Sequence, residues 1–186
     1  MGMFGNLFTS LSSLWPWRSS PPISSAGSTK ATAPVWTPTP PASGVALLKR
    51  LENCKLEAYL DINKIPTIGY GHTKGVKLGD TCTQTQADAW LAEDCAWAWL
   101  AVQKHVIVPL NDNQAGAMLS FVYNLGEPRF ETTTALKVLN FGKYSEVPAA
   151  MLEWDKKKAP DGSMVVSSGL ENRRDFEIAL WNTPVA

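Results

Sequence analysis

Between Val45 and Thr73 the spacing of apolar residues changes period, and that change limits what the chain can build. Val45, Leu47, Leu48 and Leu51 recur at helical spacing around Lys49 and Arg50. Ser43 is placed to cap the start of this helix. Asn53 is able to take the left-handed conformation that ends one. Leu56, Ala58 and Leu60 then alternate with Glu57, Tyr59 and Asp61, the pattern of a strand. Asp61-Ile-Asn-Lys reads as a turn. Thr67, Gly69 and Gly71 alternate with Ile68, Tyr70 and His72 on the returning strand. The expected unit is a helix feeding a β-hairpin, with Glu52 on the last helical turn and Asp61 and Thr67 flanking the hairpin turn. Glycine on one face of that strand predicts close approach by another backbone or by a ligand.

This arrangement suits cleavage of a glycosidic bond, which needs two carboxyls held apart across a groove. One is protonated to assist the leaving oxygen, and the other is ionised to manage a water. A helix C-terminus disfavours a carboxylate, so its end suits Glu52 as the protonated partner. Taken singly, a Glu at a helix end is a solvated residue, an Asp before a turn bonds its own backbone, and a Thr in a strand is a strand former. The argument rests on their joint spacing. Glu57, the other carboxylate of the segment, reads as a strand-surface residue.

The remainder reads as helical scaffold. A helix from about Thr83 to His105 carries Trp90, Leu91, Trp97 and Leu100, and Thr83 with Gln86 forms a capping-box pattern. Asn111 caps a helix holding Ala115, Met118, Leu119, Val122 and Leu125, with Gly126 after it. Short helices follow from about Thr132 to Asn140 and from Val147 to Trp154, where Pro148 suits a first turn. Lys156 to Ser168 reads as a polar loop able to rim the cleft. A last helix holds Leu170, Phe176, Ile178, Leu180 and Trp181. The fold class is α+β: mainly α, a small β-hairpin lobe on a larger helical lobe, with the cleft between them.

Residues 1–44 contain no acidic side chain and are rich in Pro, Ser, Thr and Ala. The expected organisation is an amphipathic segment at 1–20, a flexible Pro/Ser/Thr-rich linker at 21–43, and a catalytic domain at 44–186. Met3, Phe4, Leu7, Phe8, Leu11, Leu14 and Trp15 form an apolar stripe too short to span a membrane. The segment lacks the basic start and cleavage site of a secretory signal. It suits docking to a protein groove or shallow insertion at a membrane surface, beside the plain reading of a terminus without a role. Seventeen basic and seventeen acidic residues balance, which gives no electrostatic case for nucleic acid. Cys54, Cys82 and Cys95 are odd in number and read as reduced thiols. His72 and His105 are the only histidines, no ligand cluster is evident around either, and no metal or other cofactor is expected.

The chain resembles the phage lysozyme (endolysin) family, which includes the T-even phage lysozymes and the lambdoid endolysins. That family's pattern is Glu, eight residues, Asp, five residues, Thr, and Glu52, Asp61 and Thr67 match it. The resemblance continues in Ser120-Phe-Val-Tyr-Asn124-Leu-Gly126, in Thr132-Thr-Thr-Ala-Leu136-Lys-Val-Leu139-Asn140 and in Gly169-Leu-Glu-Asn-Arg173-Arg174-Asp-Phe-Glu177-Ile-Ala-Leu180-Trp181, covering about residues 44 to 182. It implies a muramidase that hydrolyses the β-1,4 bond between N-acetylmuramic acid and N-acetylglucosamine in peptidoglycan. Glu52 would be the general acid. Asp61 would orient or activate water or stabilise the transition state, and Thr67 would position that water. An inverting arrangement needs carboxyls roughly 6.5–9.5 Å apart.

The resemblance also implies an ion pair between His72 and Asp94, and a place for Arg173 beside Glu52. An Arg in direct contact favours the ionised carboxylate and opposes an acid's role, so that pairing is expected to be loose or offset by burial. Asn124 would bond sugar groups, or simply end its helix. One departure from the family is Asn53, where members carry Gly. The implied enzyme is made in a bacterial host cytoplasm, acts on the periplasmic wall, and has a monomeric catalytic domain. A free endolysin, a virion-associated lysozyme and a secreted antibacterial effector are the competing settings, and a glycan-binding module without catalysis is the competing class.

Overall fold

The computed structural model describes residues 34–61 and 63–185. The expected segment at 1–20 and residues 21–33 of the expected linker lie outside them.

The elements in chain order are α1 (Ala42–Leu51), β1 (Lys55–Leu60), β2 (Pro66–Gly69), α2 (Gln84–Asp94), α3 (Ala96–His105), α4 (Asp112–Leu125), α5 (Glu127–Phe130), α6 (Thr134–Asn140), α7 (Val147–Met151), β3 (Lys156–Lys158), β4 (Met164–Val166) and α8 (Ser168–Trp181). The core gathers on α4, where apolar and small side chains cover every face. Ala115 to Val122 are all buried, as is Leu125. A helix apolar all round belongs in the interior, and α1, α3 and α8 pack against it. Asn111 caps α4 through a full capping box with Gln114, and Gly126 ends it at a φ of 82°.

The crossing of α1 over α4 sets where Glu52 lies. It runs through Gly44 and Gly116, which meet backbone to backbone. A Cβ on Gly44 would stand 2.8 Å from Gly116 Cα, and one on Gly116 would stand 2.6 Å from Gly44 N. Only glycine permits this approach.

Strands β1 and β2 form the expected hairpin, with Tyr59 opposite Thr67 and Leu60 opposite Pro66. A bridge from Glu57 to Thr81 extends it by one short segment. The close approach expected at the strand glycines occurs at Gly69, where the neighbour is a helix: a Cβ there would stand 3.2 Å from Ala87 Cβ.

Several expectations are corrected. Ser43 lies inside α1, whose N-cap is Pro41, and its hydroxyl instead donates to the Asp112 carbonyl at 2.8 Å, tying α1 to α4. Asn53 does not take positive φ; Lys64, in the hairpin turn, is the one non-glycine that does among the described residues. Helix α1 ends instead by Glu52 turning extended at φ −93° and ψ 135°. The single helix expected over 83–105 is broken at Cys95, because α2 packs on β2 while α3 packs on α4. Lys156 to Ser168 is no plain loop: β3 and β4 pair antiparallel, Lys156 opposite Val166. Helix α5 had no counterpart in the sequence reading. Within the expected linker at 21–43, Trp36 meets Trp99 edge-on at 5.4 Å, and the Thr37 carbonyl accepts from Trp99 Nε1 at 3.0 Å and Gln103 Nε2 at 2.7 Å.

Candidate active site

Glu52 is partly exposed at the end of α1, and its Oε1 accepts from Arg173 Nη1 at 2.8 Å. Of the two expectations, a loose pairing or one offset by burial, the first fails: the contact is direct, and Arg173 is buried. Arg173 is shared, however, because its Nε also lies 3.3 Å from Glu177 Oε1. Both residues are on α8, which brings them against α4 and the end of α1.

Glu177 is fully buried, as is Arg174. Glu177 Oε1 accepts from Ser120 Oγ at 2.7 Å and from Arg174 Nη2 at 3.0 Å. Its Oε2 lies 2.7 Å from Arg174 Nε, close enough for charge attraction but without hydrogen-bond alignment. Burial raises the Glu177 carboxyl above its ordinary value, and the two guanidiniums and the Ser120 hydroxyl pull against it. Burial likewise lowers Arg174, while Glu177 opposes that. Arg174 also reaches Asn124 Oδ1 at 3.0 Å and the Trp154 carbonyl at 3.3 Å. Glu52, Arg173, Glu177, Arg174 and Asn124 thus form one connected polar cluster. Its buried centre, Glu177 with Ser120, was not foreseen as a site feature; a Glu at i+4 from one Arg and i+3 from another was the available signal.

On the hairpin, Asp61 Oδ1 accepts from the Asn63 and Ile65 amides, both at 2.8 Å. Thr67 is 3% exposed, and its hydroxyl donates to the Ile65 carbonyl at 2.9 Å. Ile65 therefore clamps both residues, its amide on Asp61 and its carbonyl on Thr67. The turn uses one oxygen of Asp61, and Oδ2 has no protein hydrogen bond among the described residues. The Thr67 proton is spent, so its remaining lone pair is an acceptor for a water.

His72 Nδ1 lies 2.8 Å from Asp94 Oδ2 at the end of α2, and Nε2 lies 3.1 Å from the Lys74 carbonyl. The ring stacks on Trp90 at 4.7 Å. This ties the hairpin lobe to α2. Glu57 is exposed on β1.

An aromatic pair went unread in the sequence as a site feature. Tyr123 stacks on Trp97 at 5.9 Å, and Trp97 remains 45% exposed. Burial pushes the Tyr123 hydroxyl up to about 12, with the nearby Glu52 carboxylate adding to it. The pair lines a groove of about 560 Å³ with Gly71, Thr73 and Asp94.

The absence of a ligand cluster around His105 is also corrected. His105 Nε2 lies 2.9 Å from Glu127 and 3.2 Å from Glu131. Lys104 Nζ also sits 2.8 Å from Glu127. An ammonium already placed on the central carboxylate makes this a surface ion cluster.

A small hairpin packed on a helical body, with one carboxyl on each, is a lysozyme-like arrangement. The family model described as phage lysozyme matches residues 49–177. An endolysin of Acyrthosiphon pisum secondary endosymbiont phage 1 is 41% identical over 140 residues, 75% of this chain and 95% of the relative. The endolysin of Salmonella phage P22 is 40% identical, over 64% of this chain and 86% of its own. Among solved structures, an endolysin from Escherichia coli O157:H7 phage FAHEc1 superposes with a TM-score of 0.73 at 34% identity, covering 81% of this chain and 96% of that one. The chain belongs to the phage lysozyme family. It is a glycoside hydrolase, a peptidoglycan-cleaving muramidase of the kind used in phage lysis.

Proposed function

We propose that Glu52 is the general acid of this muramidase, protonating the oxygen between N-acetylmuramic acid and N-acetylglucosamine. The observation that carries this is the 2.8 Å contact from Arg173 to Glu52 Oε1. It fixes one carboxyl oxygen at the end of α1 and leaves the other for the leaving group. Sharing Arg173 with Glu177 divides its charge between two carboxylates, which limits its opposition to an acid. Asp61 Oδ2 holds the water on the other side of the scissile bond and takes its proton as it attacks, and the Thr67 oxygen accepts a hydrogen bond from that water. Water rather than enzyme is then the nucleophile, and the product forms with inversion. General acid assistance contributes about 10²–10⁴-fold. Glu52→Gln keeps the Arg173 contact and removes the proton, so it is expected to bind glycan and release reducing ends at under about 1% of the normal rate. Full activity in a folded Glu52→Gln protein would refute the assignment. NMR of the first-formed anomer tests inversion. Asn124 orients the sugar from α4, and His72 with Asp94 holds the hairpin lobe.

The biological setting favoured is a phage enzyme made in the host cytoplasm that degrades the periplasmic wall at the end of infection, its residues 44–186 working as a monomer behind the segments at 1–20 and 21–43. The relatives named endolysin support it. Mounting on a virion is the alternative, supported by the apolar start of the chain, and co-purification with particles separates the two.

A further inference from the structure

The three thiols of the chain have unlike surroundings. Cys95 is fully buried in the core, whereas Cys54 and Cys82 are half-buried and free. Cys54 lies in the connection from α1 to β1, and Cys82 directly precedes Thr83, the N-cap of α2. The backbone brings these two places together. Glu57 bridges Thr81 in antiparallel sense. The Ala58 amide donates to the Asp80 carbonyl at 2.9 Å, and the Cys82 amide donates to the Leu56 carbonyl at 2.9 Å. This register sets Cys82 across from Leu56, with Cys54 two positions further along the same line. Residues so related are diagonal neighbours, about 7–8 Å apart at Cα and nearer at Cβ. A disulfide spans up to about 6.8 Å between Cα atoms, so a shift of about 1 Å closes the difference. Cys54 is the partner placed to make that shift, because it precedes β1, outside the paired strand. The nearness also shows in the Cys82 thiol, which burial raises first and the Cys54 charge raises further.

We propose that Cys54 and Cys82 are a disulfide-forming pair, reduced where the chain is made and cross-linked where it works. The oxidant is a disulfide, either glutathione disulfide or an oxidised dithiol protein. One cysteine thiolate attacks it, forming a mixed disulfide and releasing one thiol of the oxidant. The second cysteine thiolate then attacks the first cysteine's sulfur, forming the Cys54–Cys82 bond and releasing the second thiol. The pair loses two electrons, the oxidant's disulfide gains them, and the two cysteine protons end on the released thiols. Cys95 takes no part, because burial pushes its thiol up to about 11 and shields it from the exchange. An odd number of cysteines therefore still gives one defined bond.

The bond would join the start of β1 to the start of α2 and close the loop that contains Asp61, Thr67 and His72. Cross-linking that loop restricts the unfolded chain and so favours the folded hairpin lobe. Its place in the cell rests on the proposed passage from a reducing cytoplasm to an oxidising periplasm. The chemistry itself does not depend on the assignment of Glu52.

The test incubates the full chain in glutathione buffers of graded redox ratio, quenches with acid, alkylates the remaining thiols and maps the peptides by mass spectrometry. The expected result is loss of two alkylation sites without retained glutathione, and a linked peptide holding Cys54 and Cys82. The oxidised protein is expected to melt roughly 5–10 °C above the reduced one. Cys82→Ser and Cys54→Ser should each stop at a glutathione adduct on the remaining partner, with a Tm shift well below that of wild type. Separate glutathione adducts on Cys54 and Cys82 in wild type, three thiols still open to alkylation in oxidising buffer, a linked peptide containing Cys95, or an oxidised form that melts below the reduced one would each overturn the proposal. Reducing-end release is measured on both redox forms, with kcat/KM expected within about twofold. A Cys54–Cys82 bond in a protein that releases no reducing ends in either form would count against the muramidase reading and uphold the pair.

Discussion

Replacing Glu177 with Gln probes the polar cluster on which the site rests. The side chain is fully buried and lies within 3.3 Å of two guanidiniums, one of them also fully buried. If burial alone governed its titration, Glu177 would be neutral and Gln nearly isosteric, with little cost. Two guanidiniums this close favour the ionised carboxylate against the raising effect of burial, and if the charge is there Gln leaves Arg174 buried without a counter-charge. Breaking a buried pair in this way costs about 3–5 kcal/mol. Ser120→Ala removes only the 2.7 Å hydroxyl donation to the same carboxylate, for about 1.5–3 kcal/mol. At about 2–4 °C per kcal/mol for a domain of this size, Glu177→Gln should lower Tm by roughly 6–20 °C and Ser120→Ala by clearly less. Urea unfolding gives the energies directly. Activity should fall as well, because Arg173 then acts on Glu52 alone. A Glu177→Gln loss below about 1 kcal/mol would show that the carboxyl is neutral in the fold and would refute the shared-charge argument.

Four other outcomes follow from the structure. Gly116→Ala forces α1 from α4 and is expected to cost at least about 1–3 kcal/mol and to reduce turnover, checked by urea unfolding and reducing-end assay. Trp97→Ala removes the exposed face of the Trp97–Tyr123 stack and should raise KM for glycan by several-fold with a smaller change in kcat. Cys95 is fully buried and its thiol is pushed up to about 11 by burial, so mass spectrometry after alkylation of the native protein at pH 8 should find it unmodified while Cys54 and Cys82 react. Asp88 is held below its ordinary value by Lys49, and Glu127 by Lys104 and His105. Their contribution to stability is therefore complete above about pH 5 and is lost as pH falls through the lowered values. Asp88→Asn should flatten the acid limb of stability, and raised salt should shrink that difference.

Much of the site was legible because it is local. The change of period at Leu51 to Leu56 places Glu52 at a helix end, and a turn before Thr67 places Asp61, whatever the rest of the chain does. Capping boxes at Thr83 and Asn111 were equally readable, since each needs only four residues. What escaped depends on contacts between distant segments. Ser43 resembles a cap, but its hydroxyl goes to Asp112, sixty-nine residues away. The break at Cys95 arises because the two halves of the run over 83–105 face different neighbours. Strands β3 and β4 were hidden because three consecutive lysines show no alternation, and their pairing leaves both faces in water. The aromatic pair is formed by side chains from two separate helices, α3 and α4, which no spacing rule records.

The most direct test of the central claim is reducing-end release from purified Gram-negative peptidoglycan by wild type and by Glu52→Gln, each shown to be folded by circular dichroism. The account predicts new muramic-acid reducing ends from wild type, and from Glu52→Gln binding to the same wall without cleavage. Undiminished cleavage by Glu52→Gln, or reducing ends on N-acetylglucosamine instead, would contradict it.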